Sequence, residues 1–179
     1  MSEKRKILVT YSSGYGATKE VGKEIARIVN QQNSIDVDVL SIDKVESIEL
    51  YHSIIIGTSI RADTILANTR DFFAANKDLL SEKTVAFFMV CLSASTEEGR
   101  QKVMQDYLPQ ITKSFPIVKL VSVNAFGGKI DYDKMNPVMQ SLARRVVEEK
   151  TGEPSNGSFD ARNWKHIQEW AGDLVPLLL

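Results

Sequence analysis

Cysteine and histidine are the scarcest chemistry in this sequence. A single cysteine, Cys91, excludes an intrachain disulfide framework and any multi-cysteine metal site. The two histidines, His52 and His166, lie far apart and lack metal-ligand spacing. An excess of one charge is missing too. Basic residues number 22 and acidic residues 23, a net charge of −1, so no global field gathers nucleic acid. No apolar run approaches the roughly 20 residues needed to cross a bilayer. The opening "MSEKRK" runs straight into a strand pattern, without the apolar region of a signal peptide. These absences lead us to expect a cytoplasmic protein with no transmembrane segment and at most peripheral membrane contact. A length of 179 residues suits one domain, 1–179, large enough to bury a core.

What is present is alternation. Apolar, β-branched runs predict strands over 6–11, 35–40, 53–58, 84–91 and 117–126. Several are nearly continuous in apolar residues, as parallel strands covered on both faces must be. Helical spacing predicts helices over 17–32, 64–76, 96–113 and 163–179, with only weak helical character over 41–51. The alternation defines an α/β doubly wound sheet. Residues 131–160 exceed a minimal five-strand unit. They hold an expected helix over 137–150, with proline in its first turn, and an irregular loop over 151–158.

The period changes from strand to helix inside "ILVTYSSGYGATKEVGKEIA", Ile7 to Ala26. The junction is rich in hydroxyls and glycine: Ser12, Ser13, Gly14, Tyr15, Gly16, Ala17 and Thr18. A helix N-terminus offers unpaired N–H groups and the positive end of a dipole, which suit an anion. No lysine stands at the position a nucleotide-hydrolysing P-loop needs, and Lys19 breaks the spacing of a dinucleotide-binding glycine motif. A phosphate monoester held by amides and hydroxyls is left. The bland alternative is a Ser/Gly turn that only caps a helix.

This stretch resembles the FMN-phosphate loop of flavodoxin-like proteins. The resemblance continues through "IIIGTSIRADTILANTRDFF", "AFFMVCLSAS", "NAFGGKIDYDKM" and "ARNWKHIQEWA", in that order along the chain. The subgroup most resembled is the flavodoxin-like, menaquinone-dependent protoporphyrinogen oxidases and their relatives. The resemblance implies a flavodoxin-like three-layer sandwich: a five-stranded parallel sheet of order 2-1-3-4-5, with a helical insertion between strand 5 and the last helix. It implies FMN as cofactor, its phosphate on Ser12–Thr18. Thr58, Ser59, Ile60, Arg61 and Ala62 would follow the ribityl chain and one flavin edge. Cys91, Leu92, Ser93 and Ala94 would face the other side, with Phe126, Gly127, Gly128 and Lys129 on the same rim. The implied function is an FMN-dependent oxidoreductase in haem biosynthesis, with a redox partner protein, quinone or porphyrin as partners and a homodimer as an allowed assembly. No metal site is expected.

The residues themselves leave alternatives open. Arg61 suits a flavin edge or a substrate carboxylate through paired hydrogen bonds, or it is a loop arginine beside Asp63. Cys91 reads as a buried structural thiol, Trp164 and Trp170 as helix-to-sheet packing, His166 as exposed and His52 as structural. In the insertion, Val138, Leu142 and Val146 form one stripe, with Met139, Ala143 and Val147 beside it. The stripe either packs on the domain or serves as a lid or docking face. Thr58–Asp63 and Cys91–Ser95 contain no Trp or Tyr, and the surface is not strongly acidic. Those two departures from electron-carrier flavodoxins favour an enzyme over a non-catalytic electron carrier; a flavin-free interaction domain on the same fold is a further rival.

Overall fold

The structure, a computed structural model, describes residues 4–152 and 157–179. The first apolar run forms β1 (Arg5–Ser12), followed by α1 (Ala17–Val29) and β2 (Ile35–Ser41). Next come β3 (Ser53–Arg61), β4 (Thr64–Ile65), α2 (Ala67–Ser81) and β5 (Thr84–Val90). Helices α3 (Glu97–Tyr107) and α4 (Pro109–Thr112) lead to β6 (Leu120–Phe126). The chain ends with β7 (Lys129–Ile130), α5 (Pro137–Thr151), β8 (Phe159–Asp160) and α6 (Trp164–Leu178). The long strands pair in parallel in the order β2-β1-β3-β5-β6, which is 2-1-3-4-5 when only they are counted.

Period-two alternation sorts the sheet's side chains into two cores. Ile7, Val9, Ile55, Ala86 and Phe88 turn toward α1 and α6. Leu8, Ile54, Ile56, Val85, Phe87 and Met89 turn toward α2, α3 and α4. Each fully buried Ile, Leu or Phe contributes about 1.5–3 kcal/mol over an exposed one, so these two faces hold the layers together. A third, smaller cluster joins Ile130, Tyr132 and Val147 beneath α5.

On the first face, Gly57 makes room for an aromatic group. A Cβ there would lie 2.1 Å from Cζ of Phe88. The Phe88 ring therefore crosses the sheet and meets Phe126 and Trp170, each 6.1 Å away between centroids. Trp170 also donates from Nε1 to Ser122 Oγ at 3.0 Å, which pins α6 to β6.

Several boundaries differ from the sequence expectation. The helix expected over 64–76 begins at Ala67, because Thr64–Ile65 folds back as β4 on the end of β3. The hairpin turn puts Ala62 and Asp63 at φ 47° and 55°, a primed-turn geometry without its usual Asn-Gly signature. The helix expected over 96–113 breaks at Leu108, ahead of Pro109, whose missing N–H cannot continue the ladder. The fifth long strand starts at Leu120, not at 117, and β5 stops at Val90, one residue before Cys91. Over 41–51 the helical character amounts to one turn, Ile42–Lys44. Of the expected loop over 151–158, Thr151 and Gly152 close α5, and 153–156 lie outside the described residues.

His166, expected to be exposed, is half-buried. Its ring sits edge-on to Phe126 at 5.4 Å, and Nε2 lies 3.2 Å from Asn124 Nδ2. Burial pushes its pKa below the ordinary 6.5, and the nearby Arg100 charge adds to this against the pull of Glu97 and Glu169.

Two outcomes follow from this packing. Gly57→Ala should destabilise the fold by about 1–3 kcal/mol in urea unfolding, since the Phe88 ring has no space to retreat into. His166 should titrate below 6.5 in an NMR chemical-shift series. Because its folded pKa is depressed, the unfolded chain binds the proton first, so the melting temperature should fall as pH drops below about 6.5. A His166→Gln variant should lose that part of the pH dependence.

Candidate functional site

Register decides which residues share the carboxyl end of the sheet. Ser12 pairs with Thr58, Thr58 with Met89, Ser59 with Val90, and Val90 with Phe126. Cys91 N donates to Phe126 O at 3.1 Å and carries the level one residue further. Above it lies a cleft of about 200 Å³. Its walls come from the 12–18 loop (Gly14, Tyr15, Ala17), from the end of β3 (Ser59, Ile60, Arg61) and from Val90, Cys91 and Leu92. The insertion's base adds Gly128, Lys129, Ile130 and Met135.

Ten of the expected site residues therefore line one cleft. The other ten lie around or beneath it. Ser12 donates its hydroxyl to Asn68 Oδ1, and Thr58 shares a 2.9 Å hydrogen bond with Thr69, so both hydroxyls turn to α2. Ala94 and Phe126 are core residues, 1% and 2% exposed. Ala62 occupies the β3–β4 turn, and Ser93 lies in the short turn Leu92–Ser95. Gly127 packs where a Cβ would meet the Ala161 carbonyl oxygen at 2.1 Å. Val90, Ile130 and Met135 also line the cleft. Sequence reading passed over them because Val90 looks like plain strand core and the insertion's fold over the cleft has no periodic signature.

The 12–18 loop is built for an exposed helix end. Gly16 takes φ 98°, which L side chains rarely adopt, and α1 begins at the next residue. Ser13 Oγ accepts from Gly16 N at 2.9 Å, which closes the turn. No side chain caps the first amides of α1. Thr18, wholly buried, shares a 2.7 Å hydrogen bond with Ser59 and ties the loop to β3. Arg61 does not pair with Asp63. Its guanidinium lies 4.7 Å from the Tyr15 ring centroid and 2.6 Å from where a Cβ on Gly14 would stand. Asp63 instead accepts from Tyr107 at 3.0 Å, and that phenol is pushed up to about 12, chiefly by burial and then by this hydrogen bond.

The insertion folds onto the cleft from the far side. At its base β7 pairs with β8, Lys129 opposite Asp160 and Ile130 opposite Phe159. Arg162, with a side chain only 4% exposed, pairs with both Asp160 and Glu20 of α1 and lies over Trp164. Its hydrogen bonds hold the Asp160 carboxyl below the usual carboxylate range. Val147 packs inward, 2% exposed. The Val138, Leu142 and Val146 stripe does not pack on the domain: these residues are 71%, 51% and 41% exposed. The inward stripe lies one residue over because Tyr132 and Ile130, beneath the helix, set its rotation. A second cavity of about 340 Å³ opens between α5 and the start of α3. Leu92 borders both it and the cleft.

A doubly wound sheet with a cleft at its switch point and an uncapped helix end beside it defines a class of phosphate- and cofactor-binding α/β proteins. Within that class the chain belongs to the flavodoxin-domain family, whose model matches residues 8–156; it is a flavodoxin-like flavoprotein. Among curated proteins it is similar to the protoporphyrinogen IX dehydrogenase [quinone] of Leishmania major, 26% identical over 182 residues, spanning 99% of this chain and 78% of that one. An oxidoreductase from Corynebacterium diphtheriae superposes with a TM-score of 0.59 at 13% identity, covering 99% of this chain and 98% of that one. A flavodoxin from the domain Archaea gives 0.56 at 15% identity, covering 97% and 98%. At such identities these two structures carry the fold alone. Among the described residues no helix is long and apolar enough to cross a membrane, and no group of three metal-ligating side chains converges.

The Thr18–Ser59 hydrogen bond gives this site a stability signature. Thr18→Val keeps the volume but strips Ser59 of its partner, so unfolding experiments should show a loss of about 1 kcal/mol.

Proposed function

We propose that the protein binds FMN and is an oxidoreductase that passes electrons from a reduced organic substrate to a quinone, in the manner of protoporphyrinogen oxidases. The residues present suit the cofactor. Gly16, at φ 98°, turns the backbone at the loop, Ser13 supplies a hydroxyl, and the first amides of α1 stand uncapped. A phosphate monoester is the natural ligand of such an end. The 58–62 and 91–94 segments would flank the flavin, with Gly128 and Lys129 at its rim and Arg61 at its edge. When bound, the flavin supplies the two-electron redox chemistry, and the protein supplies binding, orientation and electrostatics.

One observation favours an enzyme over a carrier. The cavity of about 340 Å³ under α5 adjoins the cleft through Leu92. Its floor is apolar, from Leu92, Val147 and Phe159, and its rim is polar, from Ser95, Thr96, Glu98 and Lys102. That combination suits a flat apolar ring system with polar substituents. A carrier that meets only a protein partner has no need of such a chamber. The relative from Leishmania major points to a porphyrinogen donor and a quinone acceptor.

The test is anaerobic turnover of the FMN-loaded protein with protoporphyrinogen and a soluble naphthoquinone. Quinol should form with porphyrin, one quinol for each two electrons and two protons removed. Ser95→Trp should fill the second cavity and cut turnover at least tenfold while FMN content stays unchanged. Electron delivery to a redox protein with no oxidation of any porphyrinogen or quinol formation would establish the carrier reading instead.

A further inference from the structure

We propose that Lys134, in the insertion, is a phosphate-binding residue that makes the protein discriminate FMN from riboflavin. The proposal rests on the FMN reading above and adds a residue that lies outside the loop.

Lys134 ends the turn Tyr132–Lys134 between β7 and α5. Its backbone is held in place. Lys134 N donates to Asp131 O, Met135 N donates to Tyr132 O, and Tyr132 is 3% exposed in the small third core. From that anchored turn the side chain reaches back across more than a hundred residues of sequence to the 12–18 loop. Its Nζ lies 3.8 Å from where a Cβ on Gly16 would stand, at the first residue before α1.

The charges around this point favour an anion. The 12–18 loop contains no basic residue of its own. Arg61 guards its other side but lies over Gly14 and the Tyr15 ring. The acid in the first turn of α1, Glu20, is engaged by the buried Arg162. The acid facing Lys134 is Asp131, at 3.6 Å, longer than a charge-assisted hydrogen bond. A half-exposed ammonium thus stands beside an uncapped helix end with only a loose counter-ion. A phosphate monoester carries close to two negative charges at neutral pH, and a flexible lysine is suited to it as a point charge. Riboflavin has no such group, so Lys134 should act on FMN alone. The contact also ties the insertion to the cofactor.

The experiment strips the protein of flavin and titrates it with FMN and with riboflavin, following flavin fluorescence, in wild type, Lys134→Ala and Lys134→Arg. Lys134→Ala should weaken FMN about tenfold and leave riboflavin unchanged, while Lys134→Arg keeps most of the affinity. The side chain is half-exposed, so a matching melting curve should confirm that the alanine variant folds. Salt gives an independent reading on wild type: potassium chloride should weaken FMN binding and leave riboflavin nearly unaffected. FMN affinity in Lys134→Ala within twofold of wild type, or an equal loss for both flavins, overturns the assignment. Failure of wild type to bind FMN at all overturns the flavin reading, and this proposal with it.

Discussion

The site depends on one constraint of topology. β1 has β2 on one side and β3 on the other, both parallel to it. The connections that leave β1 and β3 must therefore diverge to opposite faces, and the crevice between them cannot be filled by either. The 12–18 loop reaches it because β1 ends at Ser12, in register with Thr58, and α1 must then turn away under the sheet. The left-handed Gly16 makes that turn in one residue, and no side chain caps the first amides of α1. Gly57 on the neighbouring strand serves the same end indirectly. It gives the Phe88 ring room over β3, while the register brings Ser59, Val90 and Phe126 to one level.

Much of this was legible in the sequence. Apolar runs such as Ile7–Val9 and Val85–Val90 are too continuous for one-sided strands, so the parallel, doubly covered sheet could be read directly. The hydroxyl- and glycine-rich loop was visible because its composition breaks both neighbouring periods. The misses have a common cause: contacts made far along the chain. Nothing in "RADT" announces a hairpin, since Ala62 and Asp63 hold positive φ with help from Tyr107, forty-four residues on. Of the two readings open for Arg61, the one beside Asp63 fails, because a ring in the first loop holds the guanidinium instead. His166 reads as exposed from the helix pattern, and only the sheet beneath supplies Phe126 and Asn124.

The insertion shows the same limit most clearly. Its amphipathic pattern was plain, but two stripes one residue apart fit it equally well. Tyr132 and Ile130 decide between them by drawing Val147 inward, which leaves Val138 and Leu142 in solvent. Helical periodicity fixes the width of an apolar face but not its rotation about the axis. That rotation is set by whatever lies beneath, and here it lies outside the helix.

The base of the insertion then explains how an addition to the fold can bear on its cleft. A two-residue ribbon, β7 with β8, is too short to be stable alone. It is held because Arg162 bridges Asp160 at the ribbon's end to Glu20 on α1, with Trp164 against its flat face. A guanidinium suits this role better than an ammonium, since its fork meets two carboxylates while its plane stacks on a ring. Burying that cation is tolerable only because both acids engage it, so the three groups stand or fall together. The bridge starts from the first turn of α1, the same turn that borders the cleft. The insertion is thus fastened to the rim of the site rather than to the sheet at large, which places Ile130 and Met135 in the cleft wall and Lys134 beside Gly16.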